Sequence, residues 1–510
     1  MAFSTYDFVF LFLPAVLAVY YLLMGFGAYR GAIVALFASS CVFYAWWNPA
    51  HIWILLASIA FNYAAGAMLC THRSRALLII GLAANVALIV WYKYLLFFGG
   101  TIAAIAGRDW VLGQVILPLG ISFFTFQQIA WLVDCWSGRV RERNPLDYAF
   151  FIAFFPQLIS GPIVHHAELV PQVRTAVAGA RLSRDIAVGA SIFIVGLAKK
   201  ILIADRLAPF VSYFFAGSAD GAEAGAVAAW LAVLAYSLQI YFDFSAYSDM
   251  AIGIARMFGF SLPLNFNSPY KSRSIREFWG RWHMTLSRFL RDYLYIPLGG
   301  NRRGPFRRGV NLMVTMLLGG LWHGANWTFV LWGGLHGLYL IVHRFWSERS
   351  GGLALPAWAG IALTFVLVTL AWVPFRADSL DDAWRIYTQL AGFGGPLVST
   401  GLAEPILYGV PETILRTILQ ALGATPLASG ALCQALLVAG GLAIALCLPN
   451  TAETFARAAP LVGEGVPGGT WSVWRPRWKF GAVWLVLIVA LFTVSVIFMR
   501  RPAPFLYFQF

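Results

Sequence analysis

The sequence predicts an all-α, polytopic membrane protein. Of its 510 residues, 60% are hydrophobic and only 11% are charged, and the mean hydropathy is +0.73. Soluble proteins carry roughly 25% charged residues. Apolar runs of about 20 residues, long enough to cross a bilayer, recur along the chain. Because only helices and closed barrels satisfy the backbone within lipid, runs this long and continuous predict helices.

About eleven to thirteen transmembrane or re-entrant helices are expected from these runs. Glycine and proline interrupt several of them, and Ile116–Trp136 in particular is expected to be broken or re-entrant. The first run lacks a basic leader and a cleavage site, so it is expected to be retained. The predicted spans are Phe8–Met24, Gly31–Trp47, Ile52–Cys70, Ala76–Phe98, Val115–Leu132, Tyr148–Val164, Ile186–Ile203, Ala226–Ala255, Val310–Leu321, Trp327–His343, Leu353–Trp372, Leu432–Cys447 and Phe480–Met499.

The whole chain, residues 1–510, is interpreted as one transmembrane domain. Residues 393–430 and 449–479 are less apolar and are predicted to be extramembrane loops. Residues 500–510 form an aromatic C-terminal tail that its prolines keep out of a helix. Ser379 and Asp382 have the spacing of a capping box and predict the start of a short amphipathic helix.

The basic charge is concentrated in one segment. The chain has a net charge of +14. Residues 267–308, which we call the Arg-rich segment, contain ten basic side chains against two acidic ones. The positive-inside rule places this segment on the cytoplasmic side, where it would hold an anionic substrate or contact anionic lipid. Interleaved aromatic residues suit a membrane interface rather than nucleic acid. Within the segment, His283 is interpreted as an interfacial polar residue.

Two carboxylates interrupt the apolar run that begins at Ala226. Asp243 and Asp249 are six residues apart, which on a helix separates their directions by more than a right angle. They are therefore poorly placed to act as a paired acid and base. They either pair with Arg or Lys elsewhere in the protein or line a buried channel.

Several chemistries find no support in the sequence. The five cysteines are scattered without a C-x-x-C pair, so neither a disulfide framework nor a zinc site is predicted. A G-x-S-x-G elbow and a P-loop are both missing, which argues against a serine hydrolase or an ATP-driven pump. No metal and no tightly bound cofactor is expected.

His323 and His336 are the candidate catalytic residues, because ionisable groups at membrane depth usually mark a pathway or a reaction site. On one unbroken helix they would lie about 20 Å apart on nearly opposite faces. Gly324, Asn326, Gly333 and Gly334 instead favour a break or a close helix approach. A neutral imidazole there acts as a general base on a hydroxyl, or else hydrogen-bonds between helices.

The blocks LPLGISFFTFQ, FFPQLISGPIV, YFDFSAYSDMAIGIARMFGF, LLGGLWHGANWTFVLWGGLHG and PFLYFQF, together with the Arg-rich segment, resemble the membrane-bound O-acyltransferase (MBOAT) family. The resemblance is closest to the bacterial branch that contains the alginate O-acetylation membrane subunit and the teichoic acid D-alanyl transfer protein. It implies a ring of helices around a tunnel. The invariant histidine of the family corresponds to His336 and a second, branch-typical one to His323.

The resemblance also implies a function. A cytoplasmic thioester, acetyl-CoA or an acyl carrier, would supply an acetyl group for an exported, alginate-like polysaccharide, with a periplasmic SGNH-type partner completing the transfer at the cell inner membrane. Tyr507 matches a tyrosine regarded as an acyl relay in relatives; the alternative is an interfacial anchor. The donor-binding candidates are Lys271, Arg273, Arg276, Arg281 and Arg288, since arginine suits phosphate.

Two other functions stay open at this point. One is D-alanyl transfer to teichoic acid, which would need a docking surface for a carrier protein. The other is a non-enzymatic transporter of polysaccharide or lipid-linked sugar, which would explain the broken helices but not the basic segment beside paired histidine motifs.

Overall fold

A computed structural model describes residues 1–108, 115–140, 144–176, 182–219, 225–349, 355–393, 417, 420, 426–458, 461, 472–473, 476–499, 503 and 505–506. These residues are mostly helical, and the described ranges contain no strand beyond an isolated bridge between Leu262 and Leu461. The all-α prediction is confirmed.

The helices are numbered here in chain order over the described residues. They are α1 Leu13–Gly25, α2 Tyr29–Ala45, α3 Ile52–His72, α4 Arg75–Ile89, α5 Leu95–Ile105, α6 Ile121–Trp136, α7 Pro145–Ala153, α8 Phe155–Leu158, α9 His166–Ala176, α10 Leu182–Lys199, α11 Asp205–Ala219, α12 Ala226–Met257, α13 Ile275–Trp279, α14 Met284–Leu290, α15 Gly304–His323, α16 Trp327–Arg349, α17 Ala357–Arg376, α18 Leu380–Leu390, α19 Pro426–Cys447, α20 Thr451–Thr454 and α21 Ala482–Phe498.

Short π-helical or 3₁₀ segments precede, follow or join some of these helices. They are Asp7–Phe12, Pro49–His51, Val90–Tyr94, Lys200–Ala204, Pro269–Lys271, Arg291–Tyr295 and Ala456–Ala458.

Six helical segments within the described ranges are long and apolar enough to cross a membrane. They are Asp7–Gly25, Pro49–His72, Arg75–Ile105, Ser183–Gly217, Ala226–Met257 and Ala357–Arg376. Shorter apolar helices cover Tyr29–Ala45, Leu432–Cys447 and Ala482–Phe498. The protein is therefore a multi-pass membrane protein, as predicted, while the expected total of spans stays a prediction.

The chain divides into two compact units. The first unit comprises Met1–Gly196, Tyr247–Leu264 and Phe455–Gly465, and the second comprises Leu197–Ala246, Asn265–Thr454 and Val466–Phe510. Much of the predicted loops 393–430 and 449–479 lies outside the described residues. The assignment of residues 1–510 to one domain stays a prediction.

In the first unit, a buried amide network joins α3, α4 and α6. Gln128 Oε1 accepts hydrogen bonds from Ser58 Oγ at 2.7 Å and from Asn62 Nδ2 at 3.0 Å, and Asn85 Nδ2 donates to Asn62 Oδ1 at 2.6 Å. Helix α6 begins only at Ile121 and is mostly buried, which agrees with the prediction that this segment is broken rather than lipid-facing. Pairing of these side chains with one another lowers the cost of burying them.

In the second unit, the predicted capping box is present at the start of α18. Ser379 Oγ accepts a hydrogen bond from the Asp382 backbone N–H at 3.1 Å and donates to Asp382 Oδ2 at 2.6 Å. The cap satisfies one of the four N–H groups that every helix start leaves unpaired. The amphipathic helix that follows runs from Leu380 to Leu390 as expected.

Candidate active site

The two candidate histidines lie on a helical hairpin in the second unit. His323 is the last residue of α15, the chain is extended at Gly324, and α16 starts at Trp327. Asn326 stabilises the new helix start, since its Oδ1 accepts a hydrogen bond from the Thr328 N–H at 3.1 Å. The break predicted at Gly324 and Asn326 is confirmed.

Small residues hold the two arms of this hairpin together. A Cβ atom at Gly333 would lie 2.3 Å from the Met316 carbonyl oxygen, and one at Gly320 would lie 2.3 Å from the Phe329 carbonyl oxygen. Real Cβ atoms do not approach this closely, so the backbones of α15 and α16 touch only because glycine occupies these positions. The close approach expected from Gly333 is therefore present.

His336 lies in the middle of α16 and is fully buried. Phe278 stacks on its ring with centroids 6.0 Å apart, and Trp332 meets it edge-on at 4.8 Å. Tyr339 and Trp372 complete the surroundings at 5.8 and 6.3 Å. The imidazole is thus held in an aromatic cluster. The low dielectric of this cluster strengthens every electrostatic contact that the imidazole makes.

Trp279 connects the Arg-rich segment to this histidine. Its indole Nε1–H donates a hydrogen bond of 3.3 Å to His336 Nδ1. Trp279 ends α13, whose start is capped by Ser274. The two motifs that the sequence singled out separately therefore meet in one site.

The direction of this hydrogen bond sets the tautomer of His336. Indole nitrogen can only donate, so Nδ1 must carry the lone pair and a neutral ring carries its proton on Nε2. Nε2 has no hydrogen-bond partner among the residues that the structure describes. The basic nitrogen of the resting imidazole is accordingly the one that Trp279 occupies.

His323 belongs to the same aromatic cluster. Its ring is 5.0 Å from Trp332 and 5.2 Å from Phe375. Trp332 therefore contacts both candidate histidines. His323 therefore forms part of the wall of the site, and the indole of Trp332 packs against both imidazoles.

A third histidine, His283, is also part of the cluster, and its interpretation as an interfacial residue is wrong. It is fully buried, 6.5 Å from the ring of His323 and 4.8 Å from that of Phe244. Its Nδ1 accepts the Leu286 N–H at 3.3 Å and caps α14. Burial lowers the pKa of His283 to about 3, so this imidazole is neutral. The only sequence signal for it was its position next to Trp282 in the Arg-rich segment.

The five donor-binding candidates do not share one environment. Lys271 is buried, and its ammonium donates to the Leu448 carbonyl at 2.6 Å and to Ser472 Oγ at 3.2 Å. Arg281 pairs with Glu277 at 2.9 Å. Arg288 is half-buried, whereas Arg273 and Arg276 are exposed. The exposed pair is therefore best placed to meet an anionic ligand from solution.

Two further expectations concern a metal and the tail. The described ranges contain no group of three His, Cys, Asp or Glu side chains that could hold a metal ion. Tyr507 lies outside the described residues, so its role as an acyl relay stays a prediction.

Comparison with known proteins places this site in a family context. Residues 138–373, which include His323, His336 and Trp279, match MBOAT, the membrane-bound O-acyltransferase family. The chain is 42% identical over 431 residues to the peptidoglycan O-acetyltransferase of Helicobacter pylori, covering 78% of this chain and 80% of that protein.

Several further relatives are named as probable alginate O-acetylases. The Azotobacter vinelandii protein is 41% identical over 404 residues, covering 77% of this chain and 79% of that protein. The Pseudomonas syringae protein is 36% identical over 542 residues and is matched over 100% of both chains.

Proposed function

The chain belongs to the membrane-bound O-acyltransferase family, and on this premise we propose that this O-acyltransferase moves an acetyl group from cytoplasmic acetyl-CoA to hydroxyl groups of an exported polysaccharide. Its relatives are named for peptidoglycan and for alginate at nearly equal identity, 42% and 41%. The chemistry common to both names is a sugar hydroxyl, which supports a polysaccharide acceptor. Family membership favours this enzyme over the transporter considered from the sequence.

The observation that carries the proposal is the fully buried imidazole of His336 with an identifiable basic nitrogen. In the proposed reaction, the acceptor hydroxyl oxygen attacks the thioester carbonyl carbon and gives its proton to Nδ1. The carbon–sulfur bond then breaks, and the imidazolium returns the proton to the leaving thiolate. The products are the O-acetyl ester and free CoA thiol, and the ring ends in its starting state.

This route requires the acceptor hydroxyl to replace Trp279 at Nδ1. A neutral hydrogen bond contributes only about 0.5–1.5 kcal/mol net, and at 3.3 Å this one is at the long end of the range. Exchange of the indole N–H for a hydroxyl is therefore inexpensive. In the resting enzyme, Trp279 keeps the lone pair covered, which protects the bound thioester from activated water.

Donor binding is assigned to the exposed guanidinium groups of the Arg-rich segment. Arg273 precedes α13 by two residues and Arg276 is the second residue of this helix, which also supplies Trp279. Guanidinium suits the phosphates of CoA because it forms bidentate hydrogen bonds. This arrangement supports entry of the donor from the cytoplasmic face, where the positive-inside rule puts the segment.

The remaining parts of the proposal rest on the family resemblance. They are location in the cell inner membrane, a periplasmic SGNH-type partner that completes transfer to the polymer, and Tyr507 as a transient acyl carrier. With Tyr507 as the carrier, its phenol hydroxyl is the acceptor that His336 activates, and the partner then transfers the acetyl group from the tyrosyl ester to the polysaccharide hydroxyl. Teichoic acid D-alanylation would use the same imidazole chemistry with a different donor, so donor specificity separates the two.

The test is His336→Gln compared with His343→Gln, the same change near the end of the same helix. Inside-out vesicles receive radiolabelled acetyl-CoA, and the label in polymer is counted. Loss of a general base lowers transfer by about 10²–10⁴-fold, so His336→Gln should be nearly inactive while both variants remain in the membrane. Wild-type transfer by His336→Gln would refute the assignment. If the polymer were labelled by a D-alanyl carrier protein but not by acetyl-CoA, the donor in the proposal would be wrong and D-alanyl transfer would take its place.

A further inference from the structure

We propose that a buried ion triad, Lys200, Asp205 and Asp243, anchors the C-terminal tail beside the histidine cluster of the second unit. The triad residues act as positioning residues for acyl transfer, and only this last step rests on the proposed function. The anchoring itself is a property of the fold.

The triad is compact and almost fully buried. Lys200 Nζ lies 2.8 Å from Asp205 Oδ1 and 2.8 Å from Asp243 Oδ1. The exposed fractions of the three side chains are 5%, 9% and 2%. Asp243 thus pairs with a lysine elsewhere in the protein, which was one of the two roles that the sequence left open.

The C-terminal tail supplies further hydrogen-bond donors to the two carboxylates that share Lys200. The backbone N–H of Leu506 donates a buried hydrogen bond of 2.9 Å to Asp243 Oδ2, the oxygen that does not face Lys200. The backbone N–H of Ala503 lies against the carboxylate of Asp205. Phe505 and Leu506 are themselves buried.

These contacts make the triad and the tail mutually dependent. One lysine faces two carboxylates, and a buried carboxylate with an unpaired oxygen is costly. An amide hydrogen bond to a charged acceptor is stronger than a neutral one. Docking of the tail therefore supplies a donor to the second oxygen of Asp243, while the triad fixes where residues 503, 505 and 506 lie.

The anchored tail joins the aromatic cluster around the candidate catalytic residues. Phe505 is 5.9 Å from Phe244, the residue next to Asp243 on α12. Phe244 is 4.8 Å from His283, which is 6.5 Å from His323. Trp332 in turn contacts both His323 and His336. Phe505 is thus linked to the site by a series of ring contacts.

Docking is tested without disturbing the buried charges by Leu506→Pro, which removes the N–H that Asp243 accepts. Leu506→Ala is the matched control, because it shortens the side chain and keeps the N–H. Each is combined with Phe505→Cys in a chain whose five cysteines are replaced, and the rate of labelling by a membrane-permeant maleimide is measured. Leu506→Pro should raise the rate by about tenfold, the usual effect of losing one such bond, and Leu506→Ala by much less.

Asp243→Leu removes the acceptor of the same hydrogen bond. Asp249→Leu makes the identical change six residues along the same helix and is its control. Asp243→Leu should raise labelling as Leu506→Pro does, and Asp249→Leu should not. Equal labelling of Leu506→Pro and the parent chain would overturn the anchor, whatever the enzymatic activity.

Positioning is tested by acetyl transfer in Leu506→Pro, in a deletion of residues 505–510, and in each combined with Asp243→Leu. If the triad acts through the tail, Asp243→Leu adds little once the tail is deleted. Independent, multiplying losses would overturn the positioning role, and so would full transfer by a chain with a released tail. If the parent chain itself transfers no acetyl group, the proposed function fails while the labelling result still decides the anchor.

Discussion

Trp279→Phe is the sharpest test of the geometry around His336. The change removes the indole N–H that donates to Nδ1 over 3.3 Å and keeps an aromatic ring in its place. Water can then reach the lone pair in the absence of an acceptor. We expect hydrolysis of acetyl-CoA without polymer to rise, so that the ratio of hydrolysis to transfer increases.

The size of the effect follows from the hydrogen bond. A neutral bond of this length contributes about 1 kcal/mol, and each 1.36 kcal/mol changes a rate about tenfold. Uncoupled hydrolysis should therefore rise about fivefold. It is measured as free thiol released from acetyl-CoA by purified enzyme, with and without acceptor polymer.

Trp332→Phe is the matched control for this experiment. Its ring is 4.8 Å from His336, and its indole nitrogen has no hydrogen-bond partner among the described residues. The same loss of an indole N–H should leave the hydrolysis ratio near that of the wild type. An equal rise in both variants would show that loosened packing, not the uncovered lone pair, admits water, and the assignment of Trp279 would be refuted.

Two further predictions concern the scaffold. Gly333→Ala places a Cβ 2.3 Å from a backbone oxygen and should destabilise the protein by about 1–3 kcal/mol or more, whereas Gly334→Ala meets its nearest neighbour only at 3.6 Å and should be nearly neutral; equal thermal unfolding temperatures in detergent would contradict the close helix approach. Burial lowers the pKa of His283 from the ordinary 6.5 of an exposed imidazole to about 3 in the folded protein, so its contribution to stability is complete above pH 6.5 and falls as the pH drops from there towards 3. The loss should be about 1.4 kcal/mol per pH unit and should be absent from His283→Asn, which can still cap α14; an unchanged pH slope in that variant would speak against a buried neutral imidazole.

The sequence was informative wherever a pattern has a local cause. The apolar runs predicted helices because lipid leaves the backbone no other partner. The capping box at Ser379 and the break before Trp327 depend on residues only a few positions apart, and both are present. Gly333 likewise indicated a close helix approach without showing what it approaches.

Long-range contacts could not be read from the same patterns. Trp279 and His336 are 57 positions apart, and Asp243 and Leu506 are 263 apart. The local sequence around each of these residues does not indicate which distant residue it contacts. His283 resembled an interfacial histidine for the same reason, since its burial is produced by Phe244 and His323 from distant helices.

The sequence by itself determined the fold class, most of the helical segments, the basic segment and the choice of the two histidines, because each depends on composition or on spacing along one helix. The tertiary structure alone decided which nitrogen of His336 holds a lone pair and which carboxylates hold the tail. Those properties arise from side chains that meet only after helices pack, and packing joins residues whose separation along the chain carries no periodic signal.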